Sequence, residues 1–517
     1  MNVTDGQGKI ADNLPRSFFG FAWRHTKRQQ LWIVFVVLAS MPTYFLSLDL
    51  PKRIVNGPIQ GSGFETPGAT GKFLHFSLDL PRWLYPKGTL ELYPGFNLDR
   101  WQMLVMLSLS VLTLVIINGL FKFYINTFKG LMGERMLRRL RFELVDRVLR
   151  FPMPRFKHIK PSEVASMVKD EVEPIGGFVG EAFVTPVFLG GQAITAMGFI
   201  MLQSFWLGLI AGGIVAVQAV LIPRLRRRLI ELGRQRQLTA RKLAGRVGEL
   251  VDGIANVHVN DTSNLERADI AARLGRIFAI RYELFKRKYF VKFLNNFLAQ
   301  VTPFLFYLIG GYFALAGSLD IGQLVAVIAA YGGLPSPVRE LISWDQQRLD
   351  VQVKYTQVTE QFHAADMMEA ELQKAVFEPV PHLKGGYRLT GVSITDETGT
   401  KLLNNLSMEI SLHEKIAVVG PLNSGGEVLA DVLARVIPET AGAVRLACRE
   451  LSKLPEAETG RRIGYVPSDA PLFVGSLGDN LLYGLKHAPL RQAEYTGDQL
   501  VQHKWEMNEA RMTGNPV

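Results

Sequence analysis

Two uncharged stretches, residues 31–48 and 101–121, each approach the ~20 residues that a helix needs to cross ~30 Å of hydrocarbon. They predict spans one and two. Residues 182–223 run for 42 positions without a charged side chain. That is about twice the length of a span, so the pattern predicts a hairpin, spans three and four, turning near Gln203-Ser204. Residues 293–319 and 321–338 are divided only by Asp320, beside Gly317-Ser318, which predicts a second tight hairpin, spans five and six. Between these apolar runs lie two long polar excursions. In the first, Leu137, Leu140, Leu144 and Val148 recur at helical spacing among arginines, as expected of a helix continuing out of the membrane with one buried stripe. An amphipathic helix lying on anionic lipid would account for the same charges.

After Val338 the pattern changes. A polar helical connector runs to Pro379-Val380-Pro381, and short alternating and continuous apolar segments follow. Residues 387–410 read as strands with a turn at Glu397-Thr398-Gly399, and residues 415–419 as a buried strand, so an α/β domain is expected here. Residues 491–517 are polar without a strong apolar period and read as helix fragments or coil.

Composition sharpens this picture. The chain is 48% hydrophobic and only 20% charged, a balance that favours a membrane class. Cys448 is the single cysteine, which excludes an intramolecular disulfide and a cysteine zinc site. The net charge of +11 would suit a nucleic-acid surface, but the basic residues flank spans instead. Residues 122–181 hold 12 Lys and Arg, and residues 224–292 hold 17. Lys9, Arg16, Arg24, Lys27 and Arg28 precede the first span, and no small-residue cleavage pattern follows it. Positive flanks mark the cytoplasmic side, so the N-terminus, both excursions and the C-terminal region are expected inside. Residues 49–100 then form an outer insert with six basic and five acidic residues. The spans contain no acidic or basic side chain apart from the boundary Asp320, and Asn118, Gln192, Asn295, Asn296 and Gln300 are their polar candidates. Interhelical hydrogen bonds are the simpler use for such groups.

The stretch Ala417-Val418-Val419-Gly420-Pro421-Leu422-Asn423-Ser424-Gly425-Gly426-Glu427-Val428 has the form of a strand, a phosphate-cradling loop and a helix. Gly-x-x-x-x-Gly-Lys-Ser/Thr uses backbone N–H groups to hold phosphates, lysine to neutralise them and a hydroxyl to ligate magnesium. Gly420 and Gly425 keep the spacing, but Gly426 stands at the lysine position and Glu427 at the hydroxyl position. One cation is lost and one anion added. Each unit charge at about 4 Å is worth roughly 1 to 4 kcal/mol, so nucleotide affinity is expected to fall by several powers of ten.

Six spans, two cytoplasmic excursions and this loop together resemble one half of an ATP-binding cassette exporter. The first excursion carries Arg155-Phe156-Lys157-His158-Ile159-Lys160-Pro161-Ser162-Glu163-Val164, similar to a family stretch that usually has glycine at the Ser162 position and arginine at the Met167 position. The second carries Gly253-Ile254-Ala255-Asn256-Val257, close to the family's signal before its second coupling helix. Arg462-Ile463-Gly464-Tyr465-Val466-Pro467-Ser468-Asp469 and the following residues to Gly484 are the most specific match. The resemblance spans roughly residues 20–485.

The resemblance implies an α-helical membrane bundle of six transmembrane helices with long cytoplasmic extensions, followed by a partial α/β domain like that of phosphate-loop proteins. It divides the chain into a cytoplasmic segment 1–30, a transmembrane domain 31–343, a helical connector 344–384 and a degenerate nucleotide-binding domain 385–517. Gly420, Asn423, Ser424, Gly425, Gly426, Glu427 and Ser468 would line the degenerate nucleotide site, with ATP and Mg2+ bound weakly or not at all. Ser468 stands where the family has a glutamine, and Asp396 lies near its adenine-stacking aromatic. The family's signature sequence, acidic strand and switch histidine do not occur in residues 484–517. The chain alone is therefore expected to be inactive as an ATPase, with no catalytic residue and no resident metal. Phe156, His158, Glu163, Asn260, Asp261 and Glu266 fall in the coupling segments 155–163 and 259–269. The expected protein sits in a bacterial inner membrane among lipid, works as a homodimer or heterodimer with a second cassette half, and does not bind nucleic acid. A non-transporting membrane scaffold or regulator, or a truncated product, that kept the six-span fold is the alternative, and a channel or secondary transporter would call for midplane charges or broken helices that the spans lack.

Overall fold

The computed structural model describes residues 15–513 except 16, 67–68, 75, 80–88, 157–158, 160, 364–366, 375, 377–379, 381, 397, 422–423, 469, 471 and 488–492. Two compact units are present, and the long helices contribute to both.

The first unit comprises His25–Leu131 and Gly180–Asp350. Helix α1 (Phe18–Ile54) ends in a wide π-turn, Val55–Ile59, containing Pro58. Helix α2 (Arg100–Leu149) is 50 residues long. The apolar run 182–223 forms α6 (Val184–Gln203) and α7 (Phe205–Asp252), and Ser204 in extended backbone makes the turn between them. The turn falls where span length placed it. Helix α8 (Ile254–Val259) is a short tip, α9 (Ser263–Leu305) returns, and a π-turn at Phe306–Gly310 leads into α10 (Gly311–Leu315). Helix α11 (Ile321–Gly332) opens with Asp320 as N-cap, its N–H donating to Gln323 Oε1 at 3.0 Å in a capping box. Helix α12 (Pro335–Gln361) follows. Six helical segments are long and apolar enough to cross a membrane: Phe18–Ile59, Arg100–Leu149, Val184–Gln203, Phe205–Asp252, Ser263–Leu315 and Ile321–Gln361.

Two apolar clusters hold this unit together. Ile33 and Val37 of α1 meet Ile125 of α2 and Val184 of α6. Phe199, Leu207, Phe306, Val327 and Tyr331 close the hairpins against each other. Thr43 donates to Asn118 Oδ1 at 2.8 Å, so this polar span residue does serve a bond between helices. The insert between α1 and α2 is a nested pair of antiparallel hairpins: β1 (Gly71–Phe73) with β4 (Phe96–Leu98), and β2 (Phe76–Asp79) with β3 (Thr89–Tyr93). Phe73 is buried at its base against Leu50 and Leu107.

The second unit comprises Met1–Arg24, Met132–Val179 and Val351–Val517. Leu137, Leu140 and Leu144 of α2 are buried. Short helices α3 (Met153–Phe156) and α4 (Pro161–Ser166), a π-turn Met167–Glu171 and α5 (Glu173–Glu181) follow. Phe18 packs on Phe178 at 5.6 Å and on Tyr355 at 6.0 Å between ring centroids. The cassette-like part is a four-stranded antiparallel sheet in the order β6 (Lys401–Ile410), β5 (Tyr387–Thr395), β7 (Ala441–Leu446), β8 (Arg449–Glu450). Leu429 and Val432 of α13 (Gly426–Leu433) seal its apolar face against Leu389, Val392, Ile394 and Val444. Helices α14 (Glu456–Thr459), α15 (Leu477–Leu481) and α16 (Gly497–Thr513) complete the unit.

Two expectations are corrected. Residues 415–419 are not a buried strand: they join no ladder, and Ile416, Val418 and Val419 are 49%, 59% and 92% exposed. A strand of continuous apolar character is stable when neighbours cover its faces and edges, and among the described residues no strand pairs with this one. Residues 497–513, expected as fragments or coil, form one 17-residue helix. Tertiary contacts supply what amphipathic period does not: Glu509 pairs with Arg135 through two hydrogen bonds of 2.9 and 2.7 Å, Arg139 donates to the Thr513 carbonyl, and Ala510 is buried.

Candidate functional site

The loop that the sequence singled out is built around Gly425. Its φ of +90° is the left-handed conformation that glycine adopts without strain, and a Cβ there would approach the Leu402 carbonyl oxygen to 2.6 Å. The Gly425 carbonyl accepts the first bond of α13, from Leu429 N at 2.9 Å. Gly426 begins the helix and Glu427 is exposed in its first turn, where the helix dipole favours an anion. Ser424 closes a turn onto the Pro421 carbonyl at 3.1 Å. Gly420 is exposed, and Asn423 lies outside the described residues.

Around this helix the chemistry is acidic. The Tyr465 hydroxyl donates to Asp431 Oδ1, which ties the segment preceding Ser468 onto α13. That hydrogen bond, with burial and the negative charges of Asp431 and Glu427, holds the Tyr465 phenol above its ordinary range. Asp431 and Tyr465 were not singled out from the sequence. Position 431 is four residues beyond Glu427, the helical spacing that places both carboxylates on one face, so the signal was available. Ser468 is exposed. Asp396 is engaged by its own turn, with Oδ1 accepting from Thr398 N at 2.9 Å, Thr398 Oγ1 at 2.7 Å and Thr400 N at 2.8 Å. The described residues thus offer a left-handed glycine at a helix start and carboxylates, and none of those between 420 and 431 is a lysine or arginine. They fit a magnesium nucleotide poorly.

The second excursion presents its tip differently. Asn260 caps α8, Asp261 takes φ of +52°, and Glu266 sits in the first turn of α9. Arg246 of α7 reaches Glu266 at 2.6 Å, Glu249 at 3.1 Å and Asp269 at 3.4 Å, and Arg273 holds Asp269 at 2.8 Å. This network braces the two long helices below the tip while Ile254, Val259 and Leu265 stay exposed at 50%, 84% and 68%. Sequence reading chose Glu266 and missed Arg246, which lies 20 positions away on the opposite helix.

In the first excursion Phe156 is 38% exposed in α3 and stands 6.2 Å from the Phe151 ring. Arg155 lies over that same ring at 4.5 Å and donates to the Gln361 carbonyl at 2.6 Å. His158 lies outside the described residues, as does the side chain of Glu163 in α4.

Residues 84–338 match the family model of the ABC transporter transmembrane region. The chain carries the transmembrane region of an ABC exporter-type transporter. The ABC transporter ATP-binding protein YfiC of Bacillus subtilis (strain 168) is 22% identical over 394 residues, 76% of this chain and 64% of the relative. An ATP-dependent lipid A-core flippase of Ralstonia nicotianae is 22% identical over 382 residues, 72% of this chain and 63% of its own length. The flippase of Thiobacillus denitrificans is 23% identical over 418 residues, 80% and 70% of the two chains. The chain thus spans less than two thirds of the first two relatives. Its ABC membrane region makes it an integral membrane protein, and the sheet-containing region after it is consistent with part of a nucleotide-binding domain.

Proposed function

We propose that this chain is the membrane subunit of an exporter-type transporter of a bacterial inner membrane, working as a dimer whose ATP hydrolysis comes from a partner's cassette or from cassette sequence beyond these 517 residues. The observation that carries the reading is the loop before α13: a glycine-spaced turn survives while Gly426 and Glu427 replace its lysine and hydroxyl, with Asp431 on the same helix. Nucleotide phosphates would meet added negative charge there. Phe156, His158 and Glu163 in one segment and Asn260, Asp261 and Glu266 in the other would be the points at which cassette motion enters the helices. The braced tip with its exposed apolar residues suits such docking. The names of the relatives include lipid A-core flippases, and an amphiphilic cargo is compatible with spans that carry no charge.

The test is titration of the detergent-purified chain with a fluorescent ATP analogue and magnesium, alone and with any co-purifying partner. No saturable binding by the chain alone, and binding once a partner is present, is the expected result. Micromolar binding by the chain alone would sink the degenerate-site reading. A Gly426→Lys/Glu427→Ser variant should gain about tenfold or more in affinity, since each charge is worth roughly 1 to 4 kcal/mol.

A further inference from the structure

The insert between α1 and α2 has two unlike faces. In the ladder of β1 and β4, Gly71 stands opposite Leu98, Lys72 opposite Asn97 and Phe73 opposite Phe96. Side chains alternate across a strand, so Gly71, Phe73, Phe96 and Leu98 share one face while Lys72 and Asn97 share the other. The Phe64 ring lies over Gly71, where a Cβ would come within 2.8 Å of it. The Tyr93 ring meets the Phe96 ring edge-on at 5.9 Å between centroids. One face of the ribbon thus gathers aromatic rings, and the other presents an exposed cation and an exposed amide.

What the aromatic face touches fixes its depth. Phe73 forms one buried cluster with Leu50, near the end of α1, and with Leu107 of α2, and Leu98 packs against that cluster. The uncharged run of α2 begins just after Arg100, whose guanidinium donates to the carbonyls of Pro58 and Ile59 at 2.7 and 3.0 Å. Leu107 lies seven residues beyond Arg100, about 10 Å along the helix axis at 1.5 Å per residue. The run 101–121 covers about 31 Å at the same rise, which matches the thickness of the hydrocarbon. Leu107 therefore lies below the edge of the hydrocarbon, and Phe73 reaches down to it from the insert. Phe96, about 5 Å from Phe73 between Cβ atoms, is 54% exposed, and Tyr93 is 40% exposed. At the same level of α2, Trp101, Val105 and Leu109 recur at helical spacing and are 69%, 47% and 52% exposed.

We infer that the aromatic face of this insert lies in the interfacial layer of one leaflet, an anchor outside the helical bundle in which Phe96 and Tyr93 meet lipid while Lys72 and Asn97 face water. Lipid is the occupant because the face is level with the outermost turns of span two, whose own exposed side chains are apolar. Aromatic rings with a polar edge collect at that level. An interfacial anchor sets the depth and tilt of the helices that carry it, here spans one and two. The inference goes beyond the transport reading and needs only the membrane region.

The experiment is electron paramagnetic resonance of the full chain in nanodiscs. Cys448 is the single cysteine and is exposed, so a Cys448→Ser background accepts one nitroxide at a time at Phe96→Cys, Asn97→Cys or Leu109→Cys. Saturation is measured with oxygen, which concentrates among acyl chains, and with a nickel chelate, which stays in water. The expected oxygen-to-nickel accessibility ratio at position 96 is severalfold above that at position 97 and approaches that at position 109. Tyr93→Cys should behave like Phe96→Cys and decides the matter if the latter does not fold. Equal ratios at 96 and 97 would put the aromatic face in water. Poor access by both reagents at 96 would put protein over it, and broadening there that disappears on dilution with unlabelled chain would put a second copy against it. Each of these three results overturns the inference. Nucleotide enters none of the measurements, so such a failure leaves the proposed function standing.

Discussion

The cassette-like region contains two kinds of apolar segment with opposite fates. In β5, Leu389, Val392 and Ile394 are 2%, 0% and 3% exposed beneath α13. In residues 415–419 and 463–474, equally apolar side chains stand in the open: Val419 at 92%, Val466 at 90%, Leu472 at 80%. Hydrophobicity does not separate them. What differs is how each segment finds neighbours. Strand β5 meets β6 through a short turn whose Asp396 caps its own backbone, so a local hairpin brings the partner. Residues 415–419 have the character of a strand that depends on partners from distant crossovers, and none is among the described residues.

The largest expected effect separates these segments directly. Val392→Asp puts an unpaired charge under α13 and should unfold the sheet, a loss of several kcal/mol. Val419→Asp, at 92% exposure, should change stability by no more than about 0.5 kcal/mol. Hydrogen exchange at β5 and β7 distinguishes them, and comparable losses would mean that residues 415–419 are packed in solution. Next comes Gly425→Ala, which imposes a left-handed conformation on a side chain and crowds the Leu402 carbonyl. A cost of about 1 to 2 kcal/mol is expected, read as faster exchange at Leu429, and an unchanged rate would count against the turn. Smallest is Glu509→Gln, which weakens the bidentate bond to Arg135 and should cost about 1 kcal/mol, read as lost protection in α16. Because that bond holds the Glu509 carboxyl below its ordinary range, its contribution is present above the usual carboxylate pKa of about 4.3 and fades as pH falls through the depressed value. Exchange in α16 that stays flat on acidification would show that the pair contributes nothing.

The membrane half was the more legible in the sequence. Span length alone placed the turn at Ser204, and Asp320 marked the second hairpin, because hydrocarbon thickness leaves a helix few choices. The hairpin of β5 and β6 was legible for a similar local reason. Residues 415–419 were misread because an apolar run states a preference for burial without stating whether a neighbour exists to provide it. Arg246 and Arg135 were missed because their partners are distant in sequence, and an arginine among arginines gives no sign of the one that is braced. At the loop, the replacement of lysine by Gly426 was plain and Asp431 was within reach of the helical spacing from Glu427, but the hydrogen bond that Tyr465 brings to Asp431 from 34 positions away needed the fold.

One small contact in the first unit joins the chain after α1 to the start of α11. The Asn56 amide donates to Asp320, the N-cap of α11, and occupies the space that any side chain at Gly322 would need. While that amide stays seated, the π-turn after α1 and the head of α11 are held together, and displacement between spans one and six has to be taken up elsewhere along their length. The joint lies within the π-turn Val55–Ile59, to which Asn56 belongs, so that wide turn is itself the fastened piece, and a single methyl group at position 322 would drive out the rivet.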